Sequence, residues 1–150
     1  MGRQLKSGYT TGTCASAAAM AAAVFALGGS PGKVRVRLAN GTRADFAPEC
    51  GVCPADAGEG GLWCRVKKDA GDDPDVTDGV WVYAGVFPVS KEDFGRLCRD
   101  GAGYVMGEYP RLYLNGGPGI GIAEKEGLSC PVGHYAINPV PRRMILEAVS

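Results

Sequence analysis

SGYTTGTCASAAAMAAAVFALGG, residues 7–29, sets small hydroxyl residues and glycines directly before an alanine-rich apolar run, and its reading decides the fold. Arg3 and Lys6 precede the run and Ala21-Ala22-Ala23 offers an A-x-A pattern, both features of a secretion signal. Against export, alanine is weakly apolar, the run lacks a leucine-rich centre, and Val24, Phe25 and Leu27 lie beyond the would-be cleavage site. A core helix fits better. Alanine has the highest helix propensity, Thr11 or Thr13 can cap the start, and Gly28-Gly29 stop the end. Met20, Val24 and Leu27 fall at i, i+4 and i+7 and form the expected core stripe. The start of such a helix also suits an anion, because its first N–H groups are unbonded and the dipole is positive there. Thr10, Thr11 and Thr13 add hydroxyls, and Gly8 and Gly12 let a ligand approach the backbone.

The 150 residues, 45% hydrophobic, suffice for one core and predict a single domain over 1–150. Sixteen basic residues balance sixteen acidic ones, which argues against a sequence-independent grip on nucleic acid or an anionic membrane surface. No apolar run reaches the roughly 20 residues of a membrane span. The 24 glycines and 10 prolines imply many turns rather than a helical bundle. Six irregularly spaced cysteines are too few for a disulfide scaffold and predict reduced thiols in a cytoplasmic protein. Cys50 and Cys53 have ligand-like spacing, but no second pair follows, so no metal site is expected.

Residues 34–38 alternate strictly, Asn40-Gly41 signals a type I′ turn, and Ala44 and Phe46 resume the alternation, which predicts a hairpin. Residues 62–66 and 80–87 read as further strands, 91–99 as a helix capped by Ser90, and 111–114 as a short strand. Residues 142–149 read as a last helix, opened by the prolines at 139 and 141 and carrying no stop signal, so the chain is expected to be a piece of something longer. Hairpins with helices set apart point to an α+β fold: a two-layer sandwich of a mainly antiparallel sheet with helices on one side.

Three stretches could carry chemistry. In 112–121 a strand enters a glycine loop that includes Gly116, Gly117, Gly119 and Gly121, but Gly127 and Pro131 deny it the helix that a dinucleotide fingerprint requires. A glycine loop lying against a flat ligand or another backbone is the better reading. Residues 69–78 hold five aspartates without the order of a calcium loop. Clustered carboxylates repel and raise one another's pKa, so Asp69, Asp72 and Asp73 are candidate bases, though a solvated acidic loop is the plainer alternative. In 131–143 the lone His134 is more simply a loop residue, while Arg142 and Arg143 at a helix start oppose the dipole, which a nearby anion would explain.

Four of these stretches, in this order and spacing, resemble one family: GYTTGTCASAAAMAA (8–22), VKKDAGDDPDVTDG (66–79), GGPGIG (116–121) with EGLSCPVG (126–133), and AINPVPRRMI (136–145). They are similar to the N-terminal half of the CbiD family, cobalt-precorrin-5B C1-methyltransferases of anaerobic cobalamin biosynthesis. The resemblance implies methyl transfer from S-adenosylmethionine to ring carbon 1 of a cobalt tetrapyrrole, with cobalt present only as part of the substrate. It implies substrate carboxylates held by Thr10, Thr11, Thr13, Asn138, Arg142 and Arg143, a proton taken by Asp69, Asp72 or Asp73, and the methyl donor at Gly116, Gly117, Gly119 and Gly121. His134 stands where the family has an acidic residue, residues 123–126 are less basic than the family's, and the family's later half is missing.

The implied partners are a cobalt-precorrin and the missing C-terminal half, with no nucleic acid and no membrane. Met144, Ile145 and Leu146 are expected to form an exposed patch where that half would pack and through which the isolated chain would self-associate into homo-oligomers. The alternative is a non-catalytic binding module for an anionic tetrapyrrole or nucleotide. Two discriminating expectations follow. The acidic loop and the glycine loop should share one cleft, and the 150 residues alone should transfer no methyl groups.

Overall fold

The computed structural model describes residues 9–57, 61–69, 71, 78–125 and 129–150. The long alanine run is a helix, α1 (Thr11–Ala26). Its N-cap is Thr10, one residue before Thr11 and three before Thr13, the two expected caps: the Thr10 hydroxyl accepts from the Thr13 amide at 3.1 Å and pairs with the Thr13 hydroxyl at 2.9 Å. The far end closes on Gly28 at φ 84°, with the Gly29 amide bonded to the Val24 carbonyl and the Gly28 amide to that of Phe25. This is the Schellman arrangement, which only a residue at ease with positive φ completes cheaply.

Two antiparallel sheets pack beneath α1. One is the hairpin β1 (Val34–Arg37) and β2 (Arg43–Phe46), paired Val34 to Phe46 and Val36 to Ala44. These four residues are buried while Arg35 and Asp45 bridge at 2.7 Å on the outside, as strict alternation requires. The expected type I′ turn is absent. Gly41 alone has positive φ, with Gly41 N bonded to Leu38 O and Leu38 N to Thr42 O, a three-residue loop instead of a two-residue one. The Asn40 carboxamide accepts from the Thr42 amide and hydroxyl, which keeps Asn40 out of the left-handed region.

The second sheet has the order β3 (Glu49–Cys50), β4 (Leu62–Lys67), β5 (Trp81–Val86). Cys64 and Val66 face α1; Trp63 and Arg65 lie on the outer face. Cys50 opposes Cys64 across β3 and β4, and the two form a disulfide, which corrects the expectation of reduced thiols throughout. Fourteen residues separate them in sequence, so only the strand register brings them together. Cys14 and Cys130 are buried free thiols, and Cys53 and Cys98 are exposed ones.

Two helices follow. α2 (Lys91–Asp100) is capped by Ser90 and buries no residue. α3 (Pro139–Val149) packs along α1. Residues 111–114 form no strand; Leu114 makes only an isolated bridge to Tyr104. The architecture is therefore α+β with small antiparallel sheets.

The core side of α1 departs from expectation. Ala17, Ala18, Ala21 and Ala22 are fully buried, whereas Leu27 is 89% exposed and Val24 37% exposed. The methyl-sized surface is what lets sheet and α3 both come close, while Met20 of the expected stripe and Phe25 pack half-buried against the core. Leu146 of the expected exposed patch is likewise buried, at 3% exposure, and Met144 and Ile145 are half-buried, because α3 turns this face inward.

Candidate functional site

Burial alternates along the end of β4 and continues past it: Cys64, Val66 and then Lys68 are buried, so the strand carries a lysine into the core. Lys68, 5% exposed, donates from Nζ to the Thr11 hydroxyl at 3.0 Å. The next residue, Asp69, accepts the Tyr9 amide on its carbonyl at 2.8 Å and the Gly71 amide on its carboxylate at 2.8 Å. The Lys68 side chain thus stands beside the positive end of a helix, with the Asp69 carboxylate close by. Thr10 and Thr11 are exposed at this mouth, and Thr13 is buried against Thr10. Asp72 and Asp73 lie outside the described residues.

α3 brings its own start to the same place. A methyl group built on Gly12 would lie 3.1 Å from the Pro141 ring, so glycine here permits the two helix starts to touch. Pro139 and Pro141 deprive the first turn of α3 of two amide donors, so fewer N–H groups are offered there than at the start of α1. Arg142 lies with its guanidinium 4.1 Å over the Tyr104 ring and donates to the Ser129 carbonyl at 3.4 Å, while its buried Nε has no partner among the described residues. Asn138 is exposed and its side chain makes no cap; its carboxamide oxygen accepts from the Cys130 thiol at 3.6 Å. Arg143 points outward to Glu108 at 3.1 Å.

Two ionisations are shifted nearby. Burial raises the Cys14 thiol, opposed by the Lys68 charge and assisted by that of Asp69. Burial also raises Tyr104, with a contribution from its hydrogen bond with Cys130 and an opposing one from Arg142. Both groups are held neutral behind the mouth, so neither is a nucleophile at neutral pH.

The glycine loop is elsewhere. A methyl on Gly116 would enter the Tyr135 ring, and one on Gly117 would lie 3.8 Å from the Trp63 indole, so the flat groups against this loop are the protein's own aromatics. Gly119 and Gly121 face open space. Trp63 begins β4 and Asp69 follows its end, about 20 Å of strand away at roughly 3.3 Å per residue. Gly117 and Asp69 therefore sit toward different ends of β4, whereas Asp72 and Asp73, the rest of the expected shared cleft, lie outside the described residues.

Lys68 is the residue that the motifs understated, although extending the alternation of β4 by one step exposes it. Trp63, Tyr104 and Tyr135 had no signal, since their roles depend on loops folding back. Among the described residues no three His, Cys, Asp or Glu side chains could together hold a metal ion, and no helix is long and apolar enough to cross a membrane.

The profile of the CbiD family matches residues 1–150. The cobalt-precorrin-5B C(1)-methyltransferase of Prosthecochloris aestuarii is 43% identical over 150 residues, covering 98% of this chain and 35% of that protein. The enzyme of the same name from Ruminiclostridium cellulolyticum is 40% identical, covering 99% of this chain and 33% of its own length, and that from Rubrobacter xylanophilus 45% identical, covering 99% and 34%. The chain spans about a third of the length of these relatives, less than the half expected. No solved structure matches it.

Proposed function

The chain belongs to the CbiD family, and from that premise we propose that it is the N-terminal domain of a cobalt-precorrin-5B C1-methyltransferase. In this reading it holds the tetrapyrrole substrate while the remaining two-thirds of the protein completes the site. The observation that carries the reading is the buried Lys68 set beside the start of α1, with exposed Thr10 and Thr11 at the mouth and the start of α3 alongside. Tetrapyrrole acetate and propionate groups are the anions such a seat takes. Lys68 and the α1 amides supply charge, and Thr11 supplies a hydroxyl that Lys68 already orients.

The nucleophile in C-methylation is the substrate's own carbon, so the protein's work is to hold two ligands in line and to accept a proton. Asp69, at the mouth, is the carboxylate we assign to that proton. Tyr135 covers Gly116, while Gly119 and Gly121 face open space, so the outer part of the glycine loop is the side on which this chain has room to meet the methyl donor, S-adenosylmethionine. The domain is read as cytoplasmic. Since disulfides are rare there, counting free thiols in protein taken directly from cells tests that reading at Cys50 and Cys64.

The test is a titration with cobalt-precorrin-5B followed by an assay of methyl transfer. Lys68→Met should weaken binding by about tenfold or more in a chain that still folds. Unchanged affinity in a folded Lys68→Met chain would sink the seat. Binding without any methyl transfer, even when the remaining two-thirds is supplied, would instead favour a non-catalytic module for an anionic tetrapyrrole or nucleotide.

A further inference from the structure

The segment from β5 into α2 is an unfinished surface. β5 is the outermost strand of its sheet, and among the described residues nothing pairs with its free edge. The Lys68 amide bonds to the Val80 carbonyl, so Val82, Ala84 and Val86 bond back toward β4. The N–H and C=O groups of Trp81, Tyr83 and Gly85 then point outward along the free edge. Such an edge is a template for another strand, and natural proteins cover it or blunt it. Here it is flanked by Val80, Phe87 and Val89, which are 48%, 46% and 48% exposed.

α2 follows directly and has the same character. Phe94 and Leu97 lie half-buried on one side of it, none of its residues is fully buried, and it packs substantially on no other helix or strand. Its Ser90 cap, first-turn acids Glu92 and Asp93 and last-turn Arg99 stabilise it as a helix without tertiary help. A helix that packs substantially on no other element, following an open strand edge in the chain, offers half of an interface.

We infer that the free edge of β5 together with the Phe94 and Leu97 side of α2 is the docking surface for the remaining two-thirds of the protein. That occupant is indicated by length: the relatives are about three times as long as this chain, so the larger part of such a protein is available to cover this surface. The other face proposed for that contact is taken, because α3 turns Leu146 onto α1. The inference rests on the reading of the chain as part of a larger enzyme. It adds that an extended segment joins the sheet at β5 and an apolar face covers α2.

The experiment mixes the 150-residue chain with a polypeptide supplying the other two-thirds of the Prosthecochloris aestuarii relative, and follows complex formation by native mass spectrometry and amide hydrogen exchange. The expected result is a one-to-one complex with new protection concentrated in residues 80–98, weakened about tenfold or more by Phe94→Glu or Leu97→Glu. Both side chains are half-buried outside the core cluster, so the free variants should keep the circular dichroism of the fold, and their melting is measured beside the affinity so that a loss of binding is read only from folded chain. No complex, protection confined to α1 and α3, or unaltered affinity in both variants would overturn the docking surface. So would a dimer of the chain alone that protects 80–98. A complex with the expected footprint that transfers no methyl group would overturn the enzymatic reading and leave the surface standing.

Discussion

Gly85 shows how one missing side chain places another. A methyl built there would sit 2.7 Å from the Trp63 ring, which lies across the strand in the space that glycine leaves. Gly85→Ala should cost about 1–3 kcal/mol, read as a lower denaturation midpoint with unchanged slope. Cys14 makes a prediction of a different kind. Its pKa is raised by burial, so the folded chain keeps the thiol proton to higher pH than the unfolded chain does. The stabilisation is then fully present below the unfolded thiol pKa and is lost as pH rises through the raised folded value. Cys14→Ala should flatten that alkaline decline. Thiol labelling at neutral pH should modify Cys53 and Cys98 and spare the buried Cys14 and Cys130 until the chain unfolds.

Among the elements, the hairpin β1–β2 was legible because alternation and Asn40-Gly41 act locally, although the turn type depended on the Asn40 side chain. β3 was not, since two residues carry no period; its pairing with β4 is a long-range fact, and the disulfide follows from it. The core side of α1 was misread for a physical reason. Hydrophobic periodicity weights bulk, but a helix closely approached from two sides buries its smallest residues. Ala18→Leu or Ala21→Leu should therefore destabilise by about 1–3 kcal/mol even though leucine is a good helix former. Thr10→Ala should cost about 1 kcal/mol through loss of the cap. Thermal denaturation of each variant checks both, and a stabilised Ala21→Leu chain would contradict the close approach. Of the candidate site, the structure sets the start of α3 against Gly12 beside the threonines, while Gly117 and Asp69 lie toward different ends of β4, a separation that no local motif encodes.

For the molecule as a whole, the α1–α3 pair joins segments from opposite ends of the described chain, while each sheet is built from strands near in sequence. A methyl-transfer site divided between this chain and a larger remainder predicts no turnover by the 150 residues alone, measured as methylated product by mass. Turnover by the isolated chain would place the whole site within it. The contact between Gly12 and Pro141 has a consequence for the order of folding. Closing a loop of roughly 130 residues costs about 4 kcal/mol of chain entropy, whereas the β1–β2 hairpin closes a loop of only a few residues and the β3–β4 and β4–β5 hairpins loops of about a dozen. The sheets and α1 should then form the transition state, and α3 should dock after it. Leu146→Ala, which empties a buried position on α3, should speed unfolding by most of its loss of about 2–5 kcal/mol and leave the refolding rate nearly unchanged. A refolding limb slowed in proportion would mean that the distant helix is part of the nucleus. If it is not, a ribosome-bound chain holds its alanine helix half covered until residues 139–149 emerge, and that interval is when the nascent protein is most open to wrong partners.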